Sequence, residues 1–204
     1  MVHKYISKNT KSLLILLHGT GGNENSLIHL GYEIDEHTNI LSIRGNINEN
    51  GMNRFFKRIA PGIFDTENLF FETTRLYDFI IDFLEEHNLS LENTIAIGYS
   101  NGANILGSLL YRYGGLFQGV VLMHPMIPLK DTDVSDQKQM PLLITAGTND
   151  PLVEVGETKR LVSIFKNNNA KIKNGFYGEG HSVSSKEIFD IKQWYNEIKK
   201  PTKS

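Results

Sequence analysis

The stretch that most constrains this chain is residues 95–102, Ile-Ala-Ile-Gly-Tyr-Ser-Asn-Gly. An apolar run enters Gly98-Tyr99-Ser100-Asn101-Gly102, and a helix-like segment follows from Ala103 to about Tyr113. A strand that turns at once into a helix, with glycines two positions either side of a serine, is the G-x-S-x-G elbow. The glycines have a steric reason: the serine backbone is strained, and the segments beside it must pass close to neighbouring elements without a Cβ. With 18 glycines in 204 residues the spacing alone is a weak signal. The plainer reading is a buried strand, a Gly-rich turn and an ordinary serine, so the partners that such a serine requires decide the matter.

The rest of the chain alternates strand and helix patterns. Residues 2–7 suit a short edge strand, and 12–17 form a continuous apolar run, as for a central parallel strand covered on both faces. A helix with Asn23 as cap is expected over 24–30, then a strand over 39–43. Residues 46–64 show no regular pattern. From Asp65 the 3.6 period takes over, with Leu69, Leu76, Ile80 and Leu84 on one stripe. Strands are expected at 120–123, 142–146 and 170–176, and helices at 154–165 and 184–198, followed by a frayed tail over 199–204. This order predicts one α/β domain over residues 1–204, with a mostly parallel central sheet and helices on both faces. The segment between Met123 and Pro141 is too short for a large helical lid.

In such sheets chemistry collects at the carboxyl ends of strands. His18-Gly19-Thr20-Gly21-Gly22 follows one expected strand, Ser100 a second, Asp150 a third and His181 a fourth. A serine hydroxyl needs a base to take its proton, and the base needs a third group to aim it. Ser100, Asp150 and His181 occur in the order nucleophile, acid, base that accompanies this elbow. His124 is a rival base, but it precedes Asp150, and Pro125 restricts its backbone. Asp131, Asp133 and Asp136 are alternative acids further from a strand end. A tetrahedral intermediate needs two fixed N–H donors, for which the backbones of Asn101 and Thr20 are the candidates. His18 reads as a structural residue of its loop. The expected chemistry is cleavage of an ester or thioester through an acyl-serine, with no cofactor and no metal.

Composition narrows the remaining classes. The net charge of −2 gives no reason to expect nucleic acid or an anionic membrane as partner. The absence of cysteine removes disulfides and thiolate sites, and neither H-E-x-x-H nor a phosphate-loop pattern is present. The apolar run at 13–17 is shorter than a secretory h-region of roughly 7–15 residues, so a cytoplasmic protein is expected. Phe55, Phe56 and Met126 are candidate walls of a substrate pocket, although aromatics near a helix start are more often core. Arg44, Arg54, Lys57 and Arg58 could meet a substrate carboxylate, but read more simply as a solvated basic face. A homodimer is compatible with the sequence, but no exposed apolar stripe demands one.

On these residues the chain resembles the phospholipase/carboxylesterase family of α/β-hydrolases, which includes the acyl-protein thioesterases. The likeness spans nearly the whole chain. It rests on Leu17-His18-Gly19-Thr20-Gly21-Gly22, the elbow pentad, Gly147-Thr148-Asn149-Asp150-Pro151 and Gly180-His181-Ser182. Arg44-Gly45-Asn46, Asn50-Gly51-Met52, Arg54-Phe55-Phe56 and residues 100–105 resemble in particular small bacterial carboxylesterases associated with quinone and hydroquinone resistance. The resemblance implies an α/β-hydrolase fold, a triad of Ser100, Asp150 and His181, an oxyanion hole at Thr20 and Asn101, and a small-molecule ester substrate. It departs from the acyl-protein thioesterases at Asn101-Gly102-Ala103, where those carry Gln then Gly-Gly, and it lacks their Trp-Phe-Asp element. A thioesterase and a catalytically silent binding module remain the competing readings. A dienelactone hydrolase is disfavoured because Ser100 stands where the usual nucleophile is cysteine.

Overall fold

A seven-stranded sheet collects strands from the whole length of the chain. The computed structural model describes residues 1–60, 62–130 and 132–199, so Asp131 and the expected tail beyond Lys199 lie outside the described residues. The sheet strands are β1 (His3–Ile6), β2 (Leu13–Leu17), β3 (Asn39–Ile43), β8 (Thr94–Tyr99), β9 (Gly119–Met123), β10 (Pro141–Gly147) and β11 (Lys171–Tyr177). Two short ribbons lie outside it: β4 (Ile47–Glu49) with β5 (Met52–Arg54), and β6 (Arg58–Ala60) with β7 (Ile63–Phe64). The helices are α1 (Ile28–Ile34), α2 (Thr66–Glu86), α3 (Asn101–Tyr113), α4 (Val155–Asn167) and α5 (Ser185–Ile198). The spatial order is β1-β3-β2-β8-β9-β10-β11. Only the β1–β3 pair is antiparallel; all other pairs of this sheet are parallel.

Strand alternation explains why the inner strands are apolar throughout. Leu13, Ile15 and Leu17 enter one core with residues of α2, α3 and α4, while Leu14 and Leu16 enter a second core with α1 and α5. Both faces are therefore covered, and the few polar residues within the strands, such as Ser42 and Thr145, are buried as well. Burying each such leucine or isoleucine contributes about 1.5–3 kcal/mol. Helix α2 starts where the sequence places it: the Asp65 side chain accepts the Asn68 N–H at 3.0 Å, which satisfies an end donor of the helix. The β9–β10 connection holds no helix among the described residues, as its length predicts.

Two expectations are corrected. The helix expected at 24–30 begins only at Ile28, and Asn23 does not cap it. Its carboxamide oxygen accepts the Asn25 N–H at 2.8 Å, and the Asn23 N–H donates to Ser26 Oγ at 2.9 Å. These local bonds give the backbone turns in place of a helix. The segment expected to be irregular holds the two ribbons β4–β5 and β6–β7. The first turns at Asn50-Gly51, whose φ values of 53° and 82° are both positive, as a type I′ hairpin requires.

Candidate active site

Because β2, β8, β9, β10 and β11 are neighbours running in one direction, their carboxyl ends form a row along one sheet edge. Ser100 follows β8 directly, with φ 51° and ψ −111°, a sparsely populated region for a residue with a side chain. Its N–H donates to Met123 O at 2.9 Å, which extends the β8–β9 ladder by one bond and holds the strained turn in place. The elbow glycines are there because the backbone has no space. A Cβ on Gly102 would lie 2.2 Å from Leu17 O, and one on Gly98 would lie 2.5 Å from Gly102 O. Helix α3 thus starts in contact with the end of β2, so nucleophile and β2 loop are set beside each other.

Ser100, His181 and Asp150 meet at this edge. His181 Nε2 is 2.8 Å from Ser100 Oγ, and His181 Nδ1 is 2.6 Å from Asp150 Oδ2. With Asp150 ionised, Nδ1–H donates to the carboxylate and Nε2 is left to accept the serine proton. Burial alone would raise Asp150, but the bond from His181, with the N–H groups of Leu152 and Val153, brings it below its ordinary value. The Tyr99 hydroxyl donates to His181 O at 2.8 Å. Asn149 donates through Nδ2 to Gly178 O and through its N–H to Glu179 O, which ties the acid loop to the histidine loop.

The rival histidine is also here, in a different position. His124 follows β9, which lies between the strands that lead to Ser100 and to Asp150. Its side chain is fully buried, with Nδ1 at 3.4 Å from Asp150 Oδ2 and Nε2 at 3.2 Å from Glu187 Oε2. It does not contact Ser100 among the hydrogen bonds of the described residues. Both ring nitrogens face carboxylates, an arrangement that favours the charged form of the ring. Burial lowers its basicity, but the bond and charge of Glu187, then those of Asp150, prevail and raise it. Donor atoms of His124, Asp150 and His181 lie within 4.8 Å of one another, a grouping with the chemistry of a metal site. They already hydrogen-bond to each other and form a continuous chain rather than an open set of ligands.

The β2 loop places Thr20 beside the serine. The N–H groups of Thr20 and Asn101 donate to no protein acceptor among the described residues, as oxyanion donors require. His18 is structural: Nδ1–H donates to Gly19 O at 2.6 Å and Nε2 accepts the Gly45 N–H at 3.1 Å. Burial lowers its basicity, which suits this neutral tautomer. The Asn101 side chain accepts the Phe55 N–H at 2.7 Å, and Asn104 accepts the Met126 N–H at 2.8 Å. Arg54 donates to Thr20 Oγ1 at 2.8 Å and so fixes the loop from the ribbon side.

A cavity of about 320 Å³ opens at Ser100 and His181, lined also by Thr20, Arg54, Arg58, Phe64, Met126 and Leu152. Met126, expected as a pocket wall, lines this cavity. Phe55 and Phe56 do not line it: both are fully buried and belong to the core. The Phe55 backbone is held by Asn101, and Phe64 and Leu152 line the cavity instead. Arg54, read as part of a solvated face, has a side chain only 5% exposed. Sequence reasoning also missed Glu187 and Tyr99. The signal for Glu187 was present, since it stands four residues before Ile191 and seven before Trp194, on the buried stripe of α5.

Comparison with known proteins places the whole chain in one family. The family model described as phospholipase/carboxylesterase matches residues 4–198. A Bacillus subtilis (strain 168) protein named as a hydrolase, MhqD, is 40% identical over 197 residues, covering 97% of this chain and 98% of that one. The crystal structure of a Bacillus cereus carboxylesterase has a TM-score of 0.93 at 41% identity, covering 96% of this chain and 93% of the other. The structure of YahD with malic acid has a TM-score of 0.89 at 31% identity, covering 97% and 100%. With the family model matched over residues 4–198 and a relative 40% identical over nearly the whole of both chains, this chain belongs to the phospholipase/carboxylesterase family of α/β-hydrolases.

Proposed function

We propose that the protein is a serine carboxylesterase that cleaves small to medium carboxylic esters through an acyl-enzyme on Ser100. The observation that carries this reading is the unbroken chain Ser100 Oγ–His181 Nε2 at 2.8 Å and His181 Nδ1–Asp150 Oδ2 at 2.6 Å, opening on a cavity. His181 takes the Ser100 proton as Oγ attacks the ester carbonyl, and the carbonyl oxygen becomes an oxyanion that accepts from the N–H groups of Thr20 and Asn101. The C–O bond then breaks, and the proton on His181 goes to the departing alkoxide, which leaves as the alcohol. Water enters, gives a proton to His181 and attacks the acyl carbon; the acyl C–Oγ bond then breaks, His181 returns the proton to Ser100 Oγ, and the acid is freed. Asp150 stays ionised and stabilises the imidazolium formed in each half.

Residues 1–204 are read as one domain that acts without cofactor, in the cytoplasm. No helix among the described residues is long and apolar enough to cross a membrane. The cavity volume of about 320 Å³ favours short acyl chains, and a four-carbon acid such as the malic acid held in the YahD structure is of fitting size. The test is fluorophosphonate labelling of the folded wild type and of Ser100→Ala, followed by turnover of oxyesters and thioesters of graded acyl length. Labelling of wild type alone, with oxyester turnover falling as the chain lengthens, is the expected outcome. No labelling of wild type would overturn the enzyme reading in favour of a silent binding module. Faster thioester than oxyester turnover would make the protein a thioesterase.

A further inference from the structure

The polar part of the cavity is one-sidedly cationic. Arg54 and Arg58 both line it, and no carboxylate does so among the described residues. The two guanidinium groups share one counter-ion behind the wall: Glu49 Oε2 lies 3.3 Å from Arg54 Nε and 3.8 Å from Arg58 Nε. The other Glu49 oxygen accepts the Arg58 N–H at 3.2 Å, which fixes the carboxylate under the ribbons. Glu49 is thus the one carboxylate in an ion pair with these two guanidinium groups among the described residues. Arg54 is nearly removed from water and is held by Glu49, Thr20 and the Phe56 carbonyl, whereas the Arg58 side chain is 35% exposed and so is the guanidinium more open to a ligand. Burial, and then the charge of Arg58, push Arg54 below its ordinary value against the pull of Glu49, as expected for neighbouring cations. The remaining wall is apolar, formed by Phe64, Met126, Leu152 and Val153.

We infer that the ester cleaved at Ser100 carries a carboxylate, which binds to Arg58 and Arg54 while the ester carbonyl lies at the nucleophile. The inference rests on the esterase reading above and adds the substrate class to it. A guanidinium recognises a carboxylate with two parallel N–H bonds, so it orients the substrate as well as attracting it. The small volume then selects a short ester with its anion a few carbons from the scissile bond. The structural role of Arg54, which holds Thr20, makes Arg58 the residue to test.

The experiment uses the purified full chain and two matched pairs of esters. Phenyl hemisuccinate against phenyl butyrate places the anion on the acyl half. The butyrate ester of 4-hydroxybenzoate against phenyl butyrate places it on the alcohol half. In one of the pairs, wild type is expected to favour the anionic member in kcat/KM by roughly tenfold or more, and added salt should reduce the preference. Arg58→Gln should lower the anionic-to-neutral ratio by about tenfold, with Arg58→Lys retaining part of it. Ratios within about twofold of wild type in both pairs would overturn the inference, as would a wild type that prefers the neutral ester. A second measurement needs no variant: free succinate should protect wild type from fluorophosphonate labelling better than succinamide does, and equal protection counts against the proposal. Hydrolysis without anionic preference defeats only this inference, whereas a folded protein that turns over none of these esters defeats the esterase reading itself.

Discussion

Gly102→Ala tests the claim that the elbow works by contact with β2. An added Cβ would lie 2.2 Å from Leu17 O, 2.5 Å from Leu17 C and 2.7 Å from His18 O. These are backbone atoms of an inner strand, so no side chain can rotate away. Ordinary contact begins near 3.4 Å, so α3 and β2 must separate by more than 1 Å. Forcing extra volume into a packed site costs typically about 1–3 kcal/mol, and rigid neighbours on both sides place this change at the upper end. For a chain of this length, about 3 kcal/mol lowers Tm by about 6–12 °C. The separation also moves Asn101, on α3, away from Thr20, on the β2 loop. Misplacing catalytic groups by about 1 Å can cost about 10²-fold in rate, so kcat should fall by more than the loss of stability explains. The assay is a calorimetric melt beside kcat on phenyl butyrate, measured well below Tm. Gly178→Ala is the control: nothing lies within 4 Å of a Cβ there, and a change within about 0.5 kcal/mol is expected. A Gly102→Ala protein that melts within a degree or two of wild type and keeps its rate would refute the reasoning.

Other outcomes follow from the same geometry. Asp150→Asn and His181→Ala should each lower kcat by roughly 10³-fold or more, and near-normal turnover of His181→Ala would pass the base role to His124. Phe55→Ala should cost about 3–5 kcal/mol in urea unfolding, because the ring is fully buried; a loss below about 1 kcal/mol would contradict its place in the core. Glu187→Gln probes the charge on His124, whose folded value is raised. A raised value means that the charged ring stabilises the fold fully below the unfolded value of about 6.5, and that this stability is lost as pH rises through the folded value. Wild type should therefore exceed Glu187→Gln in stability most at pH 6 and least at pH 9, and urea melts showing an equal gap at both would reject the imidazolium.

The local parts of this site were legible in the sequence because their causes are local. Glycine spacing around Ser100 reflects contacts of the elbow itself, and apolar runs reflect strands buried on both faces. Asp150 and His181 were found because each lies within a few residues of a strand end, and the sheet brings such ends together. The ribbon at residues 47–54 carried its own signal in Asn50-Gly51, which was outweighed by the mixed polarity around it. Asn23 misled for a related reason, since an asparagine that can cap a helix can also close a turn on itself. Phe55 and Phe56 could not be assigned to wall or core from pattern, because the answer depends on Asn101, a residue 46 positions away.

Arg54, His124 and Glu187 share one property. Each is a charged or titratable group with its side chain almost fully buried, on an element whose other residues read as ordinary surface or core. A stability argument alone would place apolar residues at all three, since buried ion pairs are often no better than well-packed apolar groups. Their positions are not scattered. Arg54 lines the cavity and holds Thr20, His124 lines it and reaches Asp150, and Glu187 holds His124. Polar groups that are costly to bury therefore converge from a ribbon, a strand end and a helix on the few ångströms around one serine. That convergence is expected where a fold keeps a site charged and oriented at the expense of stability. It also explains why an acidic residue on the apolar stripe of α5 was the most informative position that pattern reading passed over.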